Sequence, residues 1–143
     1  MKVKFKKLNP RAQAPKYAHV GDAGADLVAT SYTYDAEHDC YIYGTDLAVE
    51  IPEGYVMLLF PRSSNRKTDC YMCNHVGVVD SGYRGEIMFS FKCRDKNLLT
   101  KPYEIGDRIG QAIIIPYPVI EYEEADKLSD TERGTGGHGS TGR

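Results

Sequence analysis

The sequence predicts an all-β fold, and two features of the chain support this prediction. Its apolar residues fall mostly in short runs or alternate with polar residues at period two, the spacing of a strand with one buried face. Turn signals separate these runs at short intervals, among them Pro52-Glu53-Gly54, Gly106-Asp107 and Pro116. Short strands at such spacing, without a convincing amphipathic helix, are typical of a sandwich or barrel.

Six segments carry the strand pattern, and two of them flank a tight turn. The predicted strands are residues 2–7, 47–51, 55–60, 76–79, 86–93 and 108–115. Between the fourth and fifth, the run Asp80-Ser81-Gly82 is a turn signal, after which Ile87, Phe89 and Phe91 resume at period two, so this part predicts a β-hairpin. Residues 121–128 predict one or two helical turns at most, because their polar positions leave little face to bury.

Composition sets bounds on the class of protein. A chain of 143 residues is large enough for one domain with its own core. No apolar run approaches the roughly 20 residues that cross a bilayer, and the charged start lacks the apolar block of a signal peptide, so we expect no membrane span and a cytoplasmic location. A formal net charge of −2 argues against general nucleic-acid binding.

The four cysteines are interpreted as reduced, mostly buried thiols. Cys70 and Cys73 form one Cys-x-x-Cys pair with His75 just beyond, but a structural zinc site needs a second matching pair, and Cys40 and Cys93 stand alone in sequence. We therefore predict no metal site within the protein itself.

Two polar residues have a structural and a functional interpretation. Asp80 suits a turn, where aspartate bonds the local backbone, and it also suits catalysis. Gln111 shares a strand face with Ile109, Ile113 and Ile115 if period two holds, and an unpaired buried amide costs about 1–3 kcal/mol. Either a backbone partner or a β-bulge satisfies the amide, or the amide serves a ligand.

The run Gly77-Val-Val-Asp80-Ser-Gly-Tyr83-Arg-Gly-Glu-Ile87 resembles the third motif of the homotrimeric dUTPases, and the other four motifs follow in family order. These are Ala23-Gly-Ala-Asp26-Leu27, Pro61-Arg-Ser-Ser64, Gly106-Asp-Arg-Ile-Gly-Gln111 and Arg133-Gly-Thr-Gly-Gly-His-Gly-Ser-Thr-Gly142. The resemblance implies a distorted jelly-roll, or β-clip, fold that assembles as a homotrimer with active sites at subunit interfaces. Residues 1–130 would form the β domain and residues 131–143 a closing arm.

The resemblance also implies the chemistry: hydrolysis of dUTP to dUMP and pyrophosphate, with Asp80 activating water for attack on the α-phosphate. Arg62, Ser63 and Gln111 would assist catalysis at the phosphates, and Asp107 would orient a neighbouring arginine. Asp26 would hold, through water, a magnesium ion carried by the triphosphate, since Mg²⁺ keeps several of its waters. The implied substrate-binding residues are Arg62, Ser63, Ser64, Asn74, Val78, Val79, Asp80, Tyr83, Met88, Gln111, Arg133, His138, Gly139, Ser140 and Thr141.

Two positions depart from the family pattern. His138 stands where the family usually has Phe, and an imidazole still stacks on uracil with less area. Asn65-Arg66-Lys67 follows Ser64 where a more apolar continuation is expected. The last thirteen residues contain five glycines and no large apolar group, so composition indicates a flexible tail that only strong ligand contacts would order.

Two other functions share features with this sequence. A dCTP deaminase shares the fold and similar motifs, but its pattern needs a Glu on the strand after the predicted hairpin, where this chain has Ser90. A non-catalytic relative that senses nucleotide is the other, and the intact Asp80 and Arg133 argue against it. The expected biological role is to limit uracil incorporation into DNA and to supply dUMP for dTMP synthesis.

Overall fold

The computed structural model describes residues 1–94 and 101–137. The regular secondary structure of this part of the chain consists of strands and one short 3-10 helix. The 3-10 helix spans Ser63–Lys67. The strands are β1 (Lys4–Lys7), β2 (Ala25–Val28), β3 (Ser31–Asp35), β4 (Cys40–Gly44), β5 (Leu47–Glu50), β6 (Tyr55–Phe60), β7 (Cys70–Met72), β8 (Gly77–Val79), β9 (Met88–Cys93) and β10 (Arg108–Pro116).

These strands form two four-stranded antiparallel sheets and a two-stranded ribbon. The first sheet has the order β2-β10-β6-β8, the second β3-β4-β9-β7, and β1 pairs with β5. One core unites the sheets, because Leu27, Met57 and Leu59 of the first and Phe89 and Phe91 of the second belong to a single buried cluster. The predicted all-β fold class is confirmed.

The strand predictions succeeded where the pattern was strong and failed where it was weak. All six predicted segments contain a strand, and 55–60 matches β6 at both ends. Strands β2, β3, β4 and β7 were not predicted, since β2 follows a glycine-rich turn and the tyrosine-rich β3 and β4 lack a clean alternation. The helical turns predicted within residues 121–128 are absent, because every residue there is exposed and no face packs on the core.

The predicted hairpin is wrong as a pairing. Strand β8 pairs with β6 in the first sheet, whereas β9 pairs with β4 and β7 in the second. Residues 80–87 therefore cross from one sheet to the other, and Ile87, Phe89 and Phe91 are buried at 2% exposure or less between them. Period two correctly gave the buried face of β9, but it carries no information on which strand is the partner. We call residues 80–87 the crossover loop.

The prediction of four reduced thiols is also wrong. Cys70 and Cys93 form a disulfide between the neighbouring strands β7 and β9, and Cys40 and Cys73 are free. The register of the two strands places Cys70 opposite Cys93. Their separation of 23 residues gave no sign of this pairing in the sequence, since it depends on that register.

Candidate active site

A cavity of about 240 Å³ lies beside β8 and the crossover loop and gathers six of the residues predicted from the sequence. These six are Asn74, Val78, Val79, Asp80, Tyr83 and Met88. Four further lining residues were not predicted: Leu59, Gly77, Glu86 and Ile87. Gly77 and Leu59 face each other across the β6–β8 pair, and a β-carbon on Gly77 would lie 3.0 Å from the Leu59 side chain, closer than an ordinary van der Waals contact.

The position of the Tyr83 ring is fixed by contacts within the crossover loop. Its hydroxyl donates a hydrogen bond to the Glu86 carbonyl at 3.0 Å, and the residue is 43% exposed toward the cavity. A β-carbon on Gly85 would overlap this hydroxyl, so the ring lies where only glycine leaves room. The Glu86 carboxylate in turn accepts the Asp46 backbone N–H at 2.7 Å, which ties the loop to the turn before β5.

Asp80 is exposed at the start of the crossover loop. Its backbone carbonyl accepts the Tyr83 N–H at 3.1 Å and closes a turn. Within residues 1–94 and 101–137 its carboxylate makes no hydrogen bond or ion pair, so the side chain is not used to build this turn. The carboxylate oxygens remain available to a ligand or to water.

A second cluster forms at the other end of the first sheet, around Asp26 of β2. Asp26 is 11% exposed at its side chain and accepts hydrogen bonds from Arg62 Nε at 2.7 Å and from Arg108 Nη1 at 3.0 Å. Each carboxylate oxygen thus meets one guanidinium, an arrangement that fixes both arginines. The Asp107 carboxylate accepts the Glu104 N–H at 2.8 Å, so the role that the fourth motif implied for it, orienting a neighbouring arginine, stays a prediction.

Gln111 joins this cluster from the central strand β10. A register shift between Arg108 and Gly110 interrupts the strict alternation, and Gln111 then lies opposite both Asp26 and Phe60. Its Nε2 donates to the Pro61 carbonyl at 3.1 Å, and a β-carbon on Gly24 would overlap its amide oxygen. The amide therefore has a backbone partner, and a register irregularity precedes it in β10, as the two structural interpretations of the sequence predicted. A role toward phosphate stays a prediction.

The serines of the second motif begin the 3-10 helix. Ser63 is exposed, while Ser64 Oγ accepts a hydrogen bond from Arg62 Nη1 at 3.2 Å. Arg62 therefore bridges Asp26 and this turn, since its Nε and Nη1 bond to different elements.

The comparisons with known proteins agree on one family. The dUTPase family model matches residues 10–142. A deoxyuridine 5'-triphosphate nucleotidohydrolase of Leifsonia xyli is 40% identical over 131 residues, covering 90% of this chain and 84% of that protein. Its counterpart in Picosynechococcus is 38% identical over 99% of both chains. This chain belongs to the dUTPase family.

Solved structures of dUTPases share the fold. The Staphylococcus bacteriophage 80alpha dUTPase with dUPNHPP aligns with a TM-score of 0.84 at 27% identity, over 99% of both chains. A mutant of the same phage protein aligns with a TM-score of 0.81 at 26% identity. The family and the enzyme class that the five motifs predicted are thereby confirmed.

In this dUTPase fold the two clusters are far apart within one chain. The register places Val79 opposite Met57 of β6. Arg62 lies just beyond the end of β6, five residues after Met57. At roughly 3.3 Å per residue, that separation is about 16 Å along β6, and Asp80 lies one residue beyond Val79. One chain does not bring Asp80 and the Asp26 cluster to the same point.

The arm residues are only partly described. Arg133 Nε donates to the Gly136 carbonyl at 3.0 Å within an exposed turn. The predicted substrate-binding residues His138, Gly139, Ser140 and Thr141 lie outside the described residues. Their roles, and the domain boundary at residue 130, stay predictions.

Among the described residues, the donor set of one chain does not fit a resident metal ion. Across residues 1–94 and 101–137 no three His, Cys, Asp or Glu side chains gather as a metal site. The single carboxylate at the second cluster, Asp26, is already engaged by two guanidinium groups. Over the same two ranges, no helix combines the length and apolar character of a membrane span.

Proposed function

We propose that this chain is a dUTP diphosphatase, which hydrolyses dUTP to dUMP and pyrophosphate. The observation that carries the proposal is the exposed Asp80 carboxylate, which has no side-chain partner among the described residues, beside a cavity that also gathers Asn74, Val79 and Tyr83. Membership of the dUTPase family supports dUTP as the substrate. The phage 80alpha dUTPase structure with dUPNHPP supports it as well.

In the proposed reaction, Asp80 accepts a proton from a water molecule while the water oxygen attacks the α-phosphorus. The bond between the α-phosphorus and the oxygen bridging to the β-phosphorus breaks, and pyrophosphate leaves. A general base contributes typically 10²–10⁴-fold, so most of the acceleration must come from alignment and charge stabilisation. This division assigns the greater part of catalysis to the residues around the phosphates.

The phosphate side of the site is supplied by the Asp26 cluster. Arg62 neutralises charge, the Ser63 hydroxyl and the Ser64 backbone contact the phosphates, and the Gln111 amide reaches them by releasing the Pro61 carbonyl. Magnesium enters with the substrate, bound to the triphosphate. Asp26 would contact that ion only through water, because its two oxygens already accept hydrogen bonds from Arg62 and Arg108.

The base and sugar are read in the cavity. Backbone groups of Val78, Val79 and Asp80, with the Asn74 amide, present a pairing edge to uracil at the end of β8. The Tyr83 ring packs under the deoxyribose and disfavours a ribose 2′-hydroxyl, and Met88 closes the side of the cavity.

A homotrimer would unite the two clusters. Because Asp80 and the Asp26 cluster sit at opposite ends of β6, a complete site takes its base-reading half from one copy and its phosphate half from another. The arm then closes over bound nucleotide, with Arg133, Ser140 and Thr141 on the phosphates, Gly139 lending backbone N–H groups and His138 on uracil. In the cell this activity would limit uracil in DNA and supply dUMP, in the cytoplasm.

The test is a pyrophosphate-release assay on the purified protein with dUTP and magnesium, run in parallel with UTP, dTTP and dCTP. We expect turnover of dUTP, and at least a hundredfold lower turnover of the other three. Ammonia released from dCTP would instead assign the chain to the deaminases. No pyrophosphate from dUTP would reject the proposal.

A further inference from the structure

Asn65 stands directly after Ser63 and Ser64 in the 3-10 helix Ser63–Lys67, which we call the phosphate turn. Both polar atoms of its side-chain amide are hydrogen-bonded. Its Oδ1 accepts the Tyr103 hydroxyl at 2.8 Å, and its Nδ2 donates to the Cys70 carbonyl at 2.9 Å. Its backbone N–H also donates to the Arg62 carbonyl at 2.9 Å. One residue thus links the phosphate turn to β7 and to the segment before β10.

The 3-10 helix has little else to hold it in place. None of its five residues is buried, and its N-cap, Arg62, makes no side-chain capping bond. A single short 3-10 turn without a buried face does not hold its position through its own backbone bonds. Its geometry therefore depends on side chains that tie it to the sheets, among them Arg62 and Asn65. Thr68 adds a further tie, since its hydroxyl donates to the Asn65 carbonyl at 2.8 Å and accepts the Cys70 N–H at 3.3 Å.

Tyr103 is a rigid anchor for this link. It is 8% exposed, and its ring lies edge-on to Phe91 at 5.1 Å and to Tyr43 at 5.9 Å between ring centres. The Tyr43 hydroxyl donates to the Tyr103 carbonyl at 2.9 Å and accepts its N–H at 3.2 Å. Burial raises the pKa of Tyr103, so its hydroxyl stays protonated as a donor to Asn65 at neutral pH.

We infer that Asn65 is a positioning residue that, anchored by Tyr103, holds Ser63 and Ser64 in the geometry that receives the triphosphate. This inference rests on the proposed function, and it names a residue outside the five motifs. It explains why a polar residue stands at this place in the chain. Since the base and sugar are read at the other end of β6, Asn65 acts on phosphate binding alone.

The test compares two ligands on the full-length protein. The first is the imido analogue dUPNHPP, which carries the triphosphate, and the second is 2′-deoxyuridine, which carries base and sugar only. The variants are Asn65→Ala, Tyr103→Phe and their double. The matched control is Asn9→Ala, because the Asn9 amide also accepts a backbone N–H, that of Arg11 at 3.1 Å, and Asn9 belongs to neither cluster.

We expect Tyr103→Phe, which removes one hydrogen bond of Asn65, to weaken analogue binding about tenfold. Asn65→Ala also removes the bond to the Cys70 carbonyl and should weaken it at least as much, with deoxyuridine binding unchanged in both variants. The double variant should lose no more than Asn65→Ala, since both changes remove the same bond. Asn9→Ala should bind both ligands as the wild type does. A thermal melt of each variant accompanies the titrations and confirms that it is folded.

Equal losses for both ligands, or additive losses in the double variant, would reject the role of Asn65. The proposed function fails separately: wild-type protein that binds the analogue but releases no pyrophosphate from dUTP rejects the hydrolase and leaves the positioning role standing. Wild-type protein that binds no analogue rejects both.

Discussion

At the scale of single residues, the proposed chemistry depends on the Asp80 carboxylate. The change Asp80→Asn keeps the size and removes the base, so turnover of dUTP should fall by at least about a hundredfold while affinity for the analogue stays within a few fold. Steady-state kinetics and calorimetric titration measure the two quantities. The control is Asp126→Asn, the same change on an exposed carboxylate outside both clusters. Near-normal turnover in the Asp80 variant would remove it from the base role.

Gly85 gives a second residue-scale prediction, because the Tyr83 hydroxyl occupies the space that a β-carbon would need. Gly85→Ala should displace the ring and raise KM for dUTP about tenfold, since overpacking a fixed contact costs about 1–3 kcal/mol. Gly82→Ala in the same loop is the matched control, as nothing lies within 4 Å of its added carbon. If the two variants show the same KM, the seat of the ring is not set by Gly85.

The cavity-lining residues that the sequence predicted lie in or beside the third motif. Asp80, Tyr83 and Asn74 line one cavity as expected, whereas Glu86 was missed as a lining residue although it stands inside the third motif. Its role becomes visible only through its partner, the Asp46 N–H, which is 40 residues distant in sequence. Asp26 shows the same limit, since its two arginines come from β10 and from the turn after β6.

At the scale of elements, the Arg11–Asp46 ion pair joins the loop after β1 to the turn before β5 at 2.8 Å. The Arg11 hydrogen bond lowers the pKa of Asp46 in the folded state. A depressed carboxyl pKa contributes stability above the unfolded value, near 4, and loses it as the pH falls through the folded value.

Asp46→Asn should therefore be less stable than the wild type at neutral pH, and the difference should shrink as the pH falls below about 4. Asparagine accepts the left-handed backbone that residue 46 adopts at φ 52°, so the change tests charge alone. Urea unfolding of both proteins at a series of pH values measures the difference in their free energies of unfolding. A stability difference that stays constant down to pH 2 would contradict the linkage.

The Cys70–Cys93 disulfide gives the second element-scale prediction. It closes a loop of 23 residues that contains β7, β8 and the crossover loop, and the constraint on the unfolded chain is worth roughly 3 kcal/mol. Cys93→Ser should lower the melting temperature by several degrees, and a reductant should lower it in every protein that keeps Cys70 and Cys93 but not in Cys93→Ser. Cys73→Ser, which removes a free thiol at the end of β7, is the control. A wild-type melt insensitive to reductant would show that the bond is absent in solution.

Strand periodicity predicted which residues are buried but not which strands are neighbours. The alternation of Ile87, Phe89 and Phe91 reports a buried face, and the structure buries all three. The pairing of β9 with β4 and β7 instead of β8, and with it the disulfide, follows from long-range register. Local sequence does not encode that register, because many strands of one chain offer compatible faces.

At the scale of the whole molecule, one chain carries the Asp80 cavity and the Asp26 cluster at opposite ends of β6, and the proposed homotrimer therefore predicts complementation between copies. Asp80→Asn and Arg62→Ala should each be nearly inactive alone. The two variants are mixed and refolded together. A site is then intact when its Asp80 comes from an Arg62→Ala copy and its Arg62 comes from an Asp80→Asn copy. Random assembly gives that outcome in about a quarter of sites, so about a quarter of wild-type activity should return.

The control for this experiment mixes Asp80→Asn with Tyr83→Ala, two changes on the same cavity of the same chain. No intact base-reading half exists in that mixture, so activity should stay at the level of the separate variants. Sedimentation of each mixture establishes that the copies assemble. Assembly without recovery in the first mixture would mean that both clusters serve one chain, and the separation along β6 would then have to close by a movement within the subunit.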